Sequence, residues 1–422
     1  GLRQKGKLDM RTIPAMLKGG RKGSAVKAGD LKSLLWQKIA ENEMPPGEKK
    51  LSDAEKTTIK EWIASGLPTV AQQHQNVKAL LSGKKHPASD VANAIDQHIE
   101  GRLGKLKPAP ISDEDEFLRR VYLDLTGRVP TAEQAIAFLD DKAKDKRAKL
   151  IDTLLSSPHF GEQIGRTWRE WICPPELPSD GNGGKQPHRE AQNFGKWLAD
   201  QFNQGTSWDK ITREILTVNG ELKKNPQAIF FGLVGQGGKA TPGGSARAVA
   251  SLFMGVQIQC AQCHDDPYRD WAQREHWGLA AFFSQTSGDF RKVNERASKG
   301  KAEISIPRTA FLNVGTRVEA AFPRGESFKS KSSMLRSTFV DWLTHKDNRY
   351  FAKAFANRMW FYFFSRGIVN PIDDFRELNP PSHPGLIKLL ANEFTASGFD
   401  IKHMMRCISN YNTYQGTSPG TA

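Results

Sequence analysis

Apolar residues recurring at three- and four-residue intervals predict a chain built mainly of helices. Between Ser112 and Thr126, the side chains of Phe117, Val121 and Leu125 fall on one face, and Thr126-Gly127 supplies the stop. Thr131, with Gln134 three residues later, reads as a fresh helix start with a capping box. Further helices are predicted around Leu150, Ile151, Leu154 and Leu155, around Trp197, Leu198 and Phe202, and around Ile211, Ile215 and Leu216. Near the beginning, Leu34, Leu35 and Ile39 precede a Pro-Pro-Gly turn; a second helix opens at Ser52, with Glu55 as capping partner, and closes at Gly66 and Pro68. The period changes only in "AEISIPRTAFLNVGTRVEAAFP", where β-branched residues, turns and prolines predict a few short strands. From Ser332 helical spacing returns, with Phe351, Phe355 and Met359 as a stripe that reads as core. The expected fold is mainly α and multidomain: a small helical domain at 1–70, a linker at 71–95, a larger helical domain at 96–290, a short β-rich segment at 291–331, and a further helical domain at 332–422.

Length supports that division, because 422 residues exceed what one hydrophobic core usually organises. No apolar run approaches the ~20 residues needed to span a bilayer, so no transmembrane segment is expected. The opening "GLRQKGKLDM" lacks the apolar core of a signal peptide, which reads as a mature product or a fragment. Lys and Arg number 61 against 46 Asp and Glu, a formal charge of +15. The basic residues are scattered in short groups, which suits acidic partners or anionic polymers such as a polysaccharide as readily as nucleic acid; with no nucleic-acid motif beside the charge, no nucleic acid is expected.

Four cysteines do not make a disulfide framework. Cys173 and Cys407 read as buried apolar residues, with a bridge between them as the alternative. Cys260-Ala261-Gln262-Cys263-His264 is different: haem c attachment requires two thiols for the two vinyl groups and an imidazole directly after the second thiol for the iron. Half of a zinc site, a redox pair and two structural cysteines are the rival readings. A zinc site would need a second ligand pair that the chain does not offer as a motif, and a redox pair would normally sit in a βαβ unit. His276, Met254, His159, His188 and His383 are options for a sixth iron ligand. Met44, at the turn before the Ser52 helix, offers a thioether to any haem beside it. Asp265, Asp266 and Asp270, with Asp373 and Asp374 far downstream, could tune a site or cap helices. The stretch Gly235–Thr241 departs from the P-loop pattern and reads as a loop.

Several stretches together resemble one family. These are "MLKGGRKGSAVKAGDLKSLLWQKI" with "MPPGEKKLSDAEKTTIKEWIASGLP", then "FLRRVYLDLTGRVPTAEQAIAFL", "LLSSPHFGE" and "CAQCHDDPYRDWAQREHWGLAAFF", and finally the run from Phe351 to Gln415. They resemble the multidomain planctomycete cytochrome c proteins, in which a cytochrome c-like domain precedes two domains of unassigned function. The resemblance implies that 1–70 is the later part of the cytochrome c-like domain, with Met44 at its distal ligand position and that domain's own CxxCH preceding the point where this chain begins. It implies that Cys260, Cys263 and His264 carry a haem motif in the second domain, that Asp266 stands where the pattern often has a histidine, and that the third domain stops early. The implied protein is a c-type cytochrome with haem c, transferring electrons or carrying out haem-linked redox chemistry with a redox partner protein, in the periplasm or another extracytoplasmic space. The alternative from another class is a secreted polysaccharide-binding or hydrolytic module, with a non-haem metal or none at CxxCH.

Overall fold

Local chemistry starts and stops the helices. In the computed structural model, which describes residues 13–21, 23–27, 29–45, 50–64, 83–104, 106–173, 186–297, 302–310, 312–330 and 332–418, the protein is mainly α-helical. Its contacts divide the chain into two units, 1–82 and 83–422.

The first unit contains α1 (Ile13–Lys18), α2 (Leu34–Ala40) and α3 (Asp53–Ala64). The expected reciprocal cap opens α3: the Ser52 N–H donates to Glu55 Oε2 at 2.8 Å and the Glu55 N–H to Ser52 Oγ at 3.3 Å. Gly66 and Pro68, expected to close it, lie outside the described residues. Val26, Leu35, Ile39 and Ile63 form the core, and Met44 is one of the half-buried residues packed against it.

The second unit begins with α4 (Ala88–Leu103), which starts inside the stretch read as a linker, and continues with α5 (Glu114–Thr126), α6 (Ala132–Asp140), α7 (Lys146–Ser156), α8 (Pro158–Ile172), α9 (Gln186–Asn203) and α10 (Trp208–Thr217). Gly127 ends α5 in the left-handed region at φ 65°, and Thr131 and Gln134 form the capping box of α6. Then follow α11 (Ile229–Val234), α12 (Pro242–Val249), α13 (Gln273–Ala281), α14 (Leu335–Leu343), α15 (Phe351–Phe364), α16 (Pro384–Ala396) and α17 (Ile401–Ser409). The expected short strands are present: β4 (Glu303–Ser305) pairs antiparallel with β5 (Arg317–Glu319), Ile304 opposite Val318. A second small sheet joins β1 (Gly220–Glu221), β2 (Thr286–Gly288) and β3 (Lys292–Glu295), with β3 central.

One aromatic core draws on regions far apart in sequence. Trp168 of α8 lies 4.1 Å from Trp208 of α10 and 5.9 Å from Phe355 of α15, ring centre to ring centre; Phe355 in turn stacks on Phe394 of α16 at 4.2 Å. Residues within 96–290 and 332–422 therefore share a single interior. No described helix is long and apolar enough to cross a membrane.

Helices α8 and α9 approach closely because Gly165 has no side chain. A Cβ there would lie 2.7 Å from the Ala199 nitrogen, a backbone atom that cannot rotate away. Alanine favours an isolated helix over glycine by about 1 kcal/mol, but the clash outweighs that gain. Gly165→Ala is expected to lower stability by about 1–3 kcal/mol, read as a fall in Tm by calorimetry; an unchanged or higher Tm would show that the pair separates without loss.

Candidate functional site

The turn carrying Cys260, Cys263 and His264 is pinned on both sides. Before it, α12 runs into a π-helical segment, Ala250–Met254, that ends at Gly255 in the left-handed region at φ 69°. Val256 and Ile258 are buried, which anchors the strand-like approach, and Cys260–Gln262 then forms one 3₁₀ turn. The N–H groups of Cys263 and His264 both point to the Cys260 carbonyl, at 3.3 and 3.5 Å. After the turn, α13 reaches back: Gln273 Nε2 donates to the Cys263 carbonyl at 2.9 Å and Trp277 Nε1 to the Gln262 carbonyl at 3.0 Å. Asp265 Oδ1 accepts the Gln273 N–H at 2.7 Å and so caps the same helix. The motif and α13 are one structural piece.

His264 is exposed, and its Nδ1 lies 2.7 Å from the Asp265 carbonyl oxygen. Because a carbonyl can only accept, Nδ1 carries the proton and Nε2 keeps its lone pair for a ligand. Cys260 and Cys263 are each partly exposed, and no disulfide joins any of the four cysteines. Cys173 and Cys407 are buried, as their core reading requires; burial pushes the Cys173 thiol up to about 12 and the Cys407 thiol higher still. Among the described residues, no three of His, Cys, Asp and Glu are grouped so as to hold a metal ion.

The distant carboxylates Asp373 and Asp374 come to this turn. Asp373 accepts from Ser251 Oγ at 2.6 Å and Gln257 Nε2 at 2.8 Å. Asp374 accepts from Arg269 Nε at 2.8 Å and Arg376 Nε at 3.0 Å. Arg269 also donates through Nη2 to Gln257 Oε1 at 2.6 Å and lies 3.8 Å from Asp266 Oδ2. Burial opposes the charge of Arg269, but its hydrogen bond to Asp374 and the negative charges of Asp374 and Asp266 raise its pKa overall. The Phe375 N–H donates to the Gly255 carbonyl at 3.0 Å, so the downstream loop backs directly onto the approach to the motif. Arg358 of α15 is buried beside it and donates to the Ser251 and Leu252 carbonyls; burial lowers its pKa to about 10.

The sixth-ligand candidates have separate places. His276 is fully buried on α13; its Nδ1 donates to the Ile258 carbonyl at 3.3 Å, its Nε2 has no hydrogen-bond partner, and burial holds its pKa down at about 4. Met254 is buried in the core. His159 pairs with Glu162 on α8, His188 is exposed on α9, and His383 precedes Pro384 at the start of α16 with its Nδ1 on Ser382 Oγ. Met44 belongs to the first unit. The Gly-rich stretch is a tight hairpin turn, Gln236 paired with Lys239 across Gly237 and Gly238 at φ 58° and 76°.

Two family models match. Residues 94–288 match PSCyt2, a protein of unknown function (DUF1549), and residues 335–422 match PSD1, a protein of unknown function (DUF1553). Their order is the two-domain planctomycete-type layout. No curated protein and no solved structure matches the chain. The CxxCH turn lies in the PSCyt2 region and Asp373, Asp374 and Arg376 in the PSD1 region, so the polar network joins the two. Sequence reasoning placed Asp373 and Asp374 among the carboxylates but gave them no partner, and it passed over Arg269, Arg376 and Gln257, which belong to no motif.

Proposed function

We propose that Cys260, Cys263 and His264 attach haem c and that the protein is a c-type cytochrome acting in an extracytoplasmic space, in electron transfer or haem-linked redox chemistry. The observation that carries this reading is the His264 Nδ1 bond to the Asp265 carbonyl. It leaves Nε2 as the available nitrogen, fixes the ring orientation and raises the basicity of the imidazole toward an iron. Both thiols sit on the same turn and reach solvent, which suits thioether bonds to a large group lying outside the fold. Thioether attachment needs two thiols and one imidazole, and Cys260, Cys263 and His264 stand together at one turn. Bound haem supplies one-electron chemistry at its iron. The chain's part is to keep the turn rigid, through Gln273 and Trp277 on the Gln262 and Cys263 carbonyls. In the first unit, the half-buried Met44 thioether is the candidate distal ligand of a second haem. The formal charge of +15 favours an acidic redox partner.

The test is expression in a host competent in cytochrome maturation. The unaltered chain is expected to keep haem through denaturation and to give a pyridine haemochrome spectrum. Cys260→Ser with Cys263→Ser is expected to lose all covalent haem while remaining folded by circular dichroism. A colourless unaltered chain, or a double variant that keeps its haem, sinks the proposal.

A further inference from the structure

We infer that a porphyrin tethered at Cys260 and Cys263 lies against an apolar seat formed by Tyr268, Leu312, Val314 and Leu378, the last contributed by the PSD1 region. The inference rests on the haem reading and goes further, by naming the residues that meet the ring.

Large apolar side chains exposed singly on a surface are ordinary. The loops that carry these four are tied to the motif by hydrogen bonds. Tyr268 is 71 % exposed, Leu312 54 %, Val314 45 % and Leu378 81 %, and each stands on a loop fastened to the motif. The same Gln273 amide that holds the Cys263 carbonyl also donates to the Leu312 carbonyl at 3.1 Å, while Asn313 Nδ2 donates back to Gln273 Oε1 at 2.7 Å. On the other side, Arg376 Nη1 donates to the Tyr268 carbonyl at 3.0 Å. Leu378 lies in the short turn closed by Arg376 and Asn379, and Asn379 Nδ2 donates to the Asp374 carbonyl at 3.0 Å. Asp374 grips Arg269 of the motif segment, so the Leu378 turn is positioned by a network whose Asp374 side chain is only 5 % exposed. Several large apolar side chains exposed on loops tied to one motif offer a surface that a ligand held at that motif can cover.

The tether selects what covers it. A tetrapyrrole bonded to both thiols, with its iron on His264 Nε2, is confined to the surface within reach of that turn, and its broad apolar faces match these side chains. Tyr268 and Leu378 would then reduce the water contact of the ring, which favours the less charged reduced state of the iron.

The experiment uses the full chain matured with haem, carrying Tyr268→Ser and Leu378→Ser singly and together. Ile136→Ser, at a 61 % exposed apolar position on α6, is the control. The two seat variants are expected to keep covalent haem. The double variant should have a lower midpoint potential, read by spectroelectrochemical titration, as water reaches the ring. Potentials equal to that of the control would overturn the seat while leaving haem attachment standing. An unaltered chain without covalent haem would overturn both.

Discussion

Arg336→Ala is expected to destabilise the second unit by about 3–5 kcal/mol, the cost of breaking a buried ion pair from one side. The guanidinium is fully buried in the first turn of α14. Its Nε donates to Glu295 Oε2 at 3.1 Å, its Nη1 to the Leu216 and Val218 carbonyls at 3.3 and 2.9 Å, and its Nη2 to Asn219 Oδ1 at 2.9 Å. Its face lies 5.0 Å from the centre of the Phe231 ring. Burial lowers the Arg336 pKa, and the charge and hydrogen bond of Glu295 oppose that shift. One side chain therefore ties α14 to β3 and to the end of α10. Its removal leaves a carboxylate with a side chain 2 % exposed, along with two buried carbonyls that lose their donor. Arg336→Met fills most of the volume and is expected to lose nearly as much, because the unpaired Glu295 dominates the loss. Adding Glu295→Gln to Arg336→Met should recover part of it. Urea unfolding monitored by tryptophan fluorescence measures all three. A loss under 1 kcal/mol for Arg336→Ala would mean that water reaches Glu295 in the native state.

What sequence reading recovered follows the range over which each signal acts. The capping pairs Ser52 with Glu55 and Thr131 with Gln134 are three-residue interactions, and both form. The stop at Gly127 needs only its own backbone, and it adopts the left-handed conformation. The β-branched run after Ala302 yields β4 and β5, because alternation places Val318 in the interior. The stripe at Phe351, Phe355 and Met359 is core, all three being buried. What was not legible depends on long-range packing. Nothing near Phe355 indicates that it will lie between Trp168 and Phe394, and nothing near Asp374 indicates that Arg269 is its partner. The motif residues were visible because attachment chemistry fixes their spacing. The network around them uses common residue types with no fixed spacing, so only the folded chain reveals it. Likewise, Arg358 donates to the Ser251 and Leu252 carbonyls of the π-helical segment before Gly255 from a helix about a hundred residues downstream.

Asp124→Asn is expected to make the protein more stable at neutral pH, and by an amount that vanishes in acid. Asp124 lies near the end of α5; its Oδ2 accepts from Tyr414 Oη at 2.8 Å, and its backbone carbonyl accepts from Tyr362 Oη. Burial raises its pKa from 3.8 to about 6, and the Tyr414 hydrogen bond and the charge of Arg120 only partly offset that rise. A carboxyl whose pKa is raised by folding binds its proton more tightly in the native state, so its favourable contribution is complete below the unfolded value and is lost as pH climbs through the folded one. Between about pH 4 and 6 the wild-type chain therefore forfeits up to about 3 kcal/mol, at 1.36 kcal/mol per unit. Asparagine keeps an oxygen to accept from Tyr414 and has no proton to lose. The variant should match wild type near pH 4 and exceed it by about 1.5–3 kcal/mol at pH 7.5, measured as paired urea titrations across that range. Taking the difference between the two proteins at each pH cancels every other titrating group, so the curve isolates Asp124. A difference that stays constant from pH 4 to 7.5 would mean that Asp124 titrates in the native state as it does in the unfolded chain, and that water has access to it beside Tyr414.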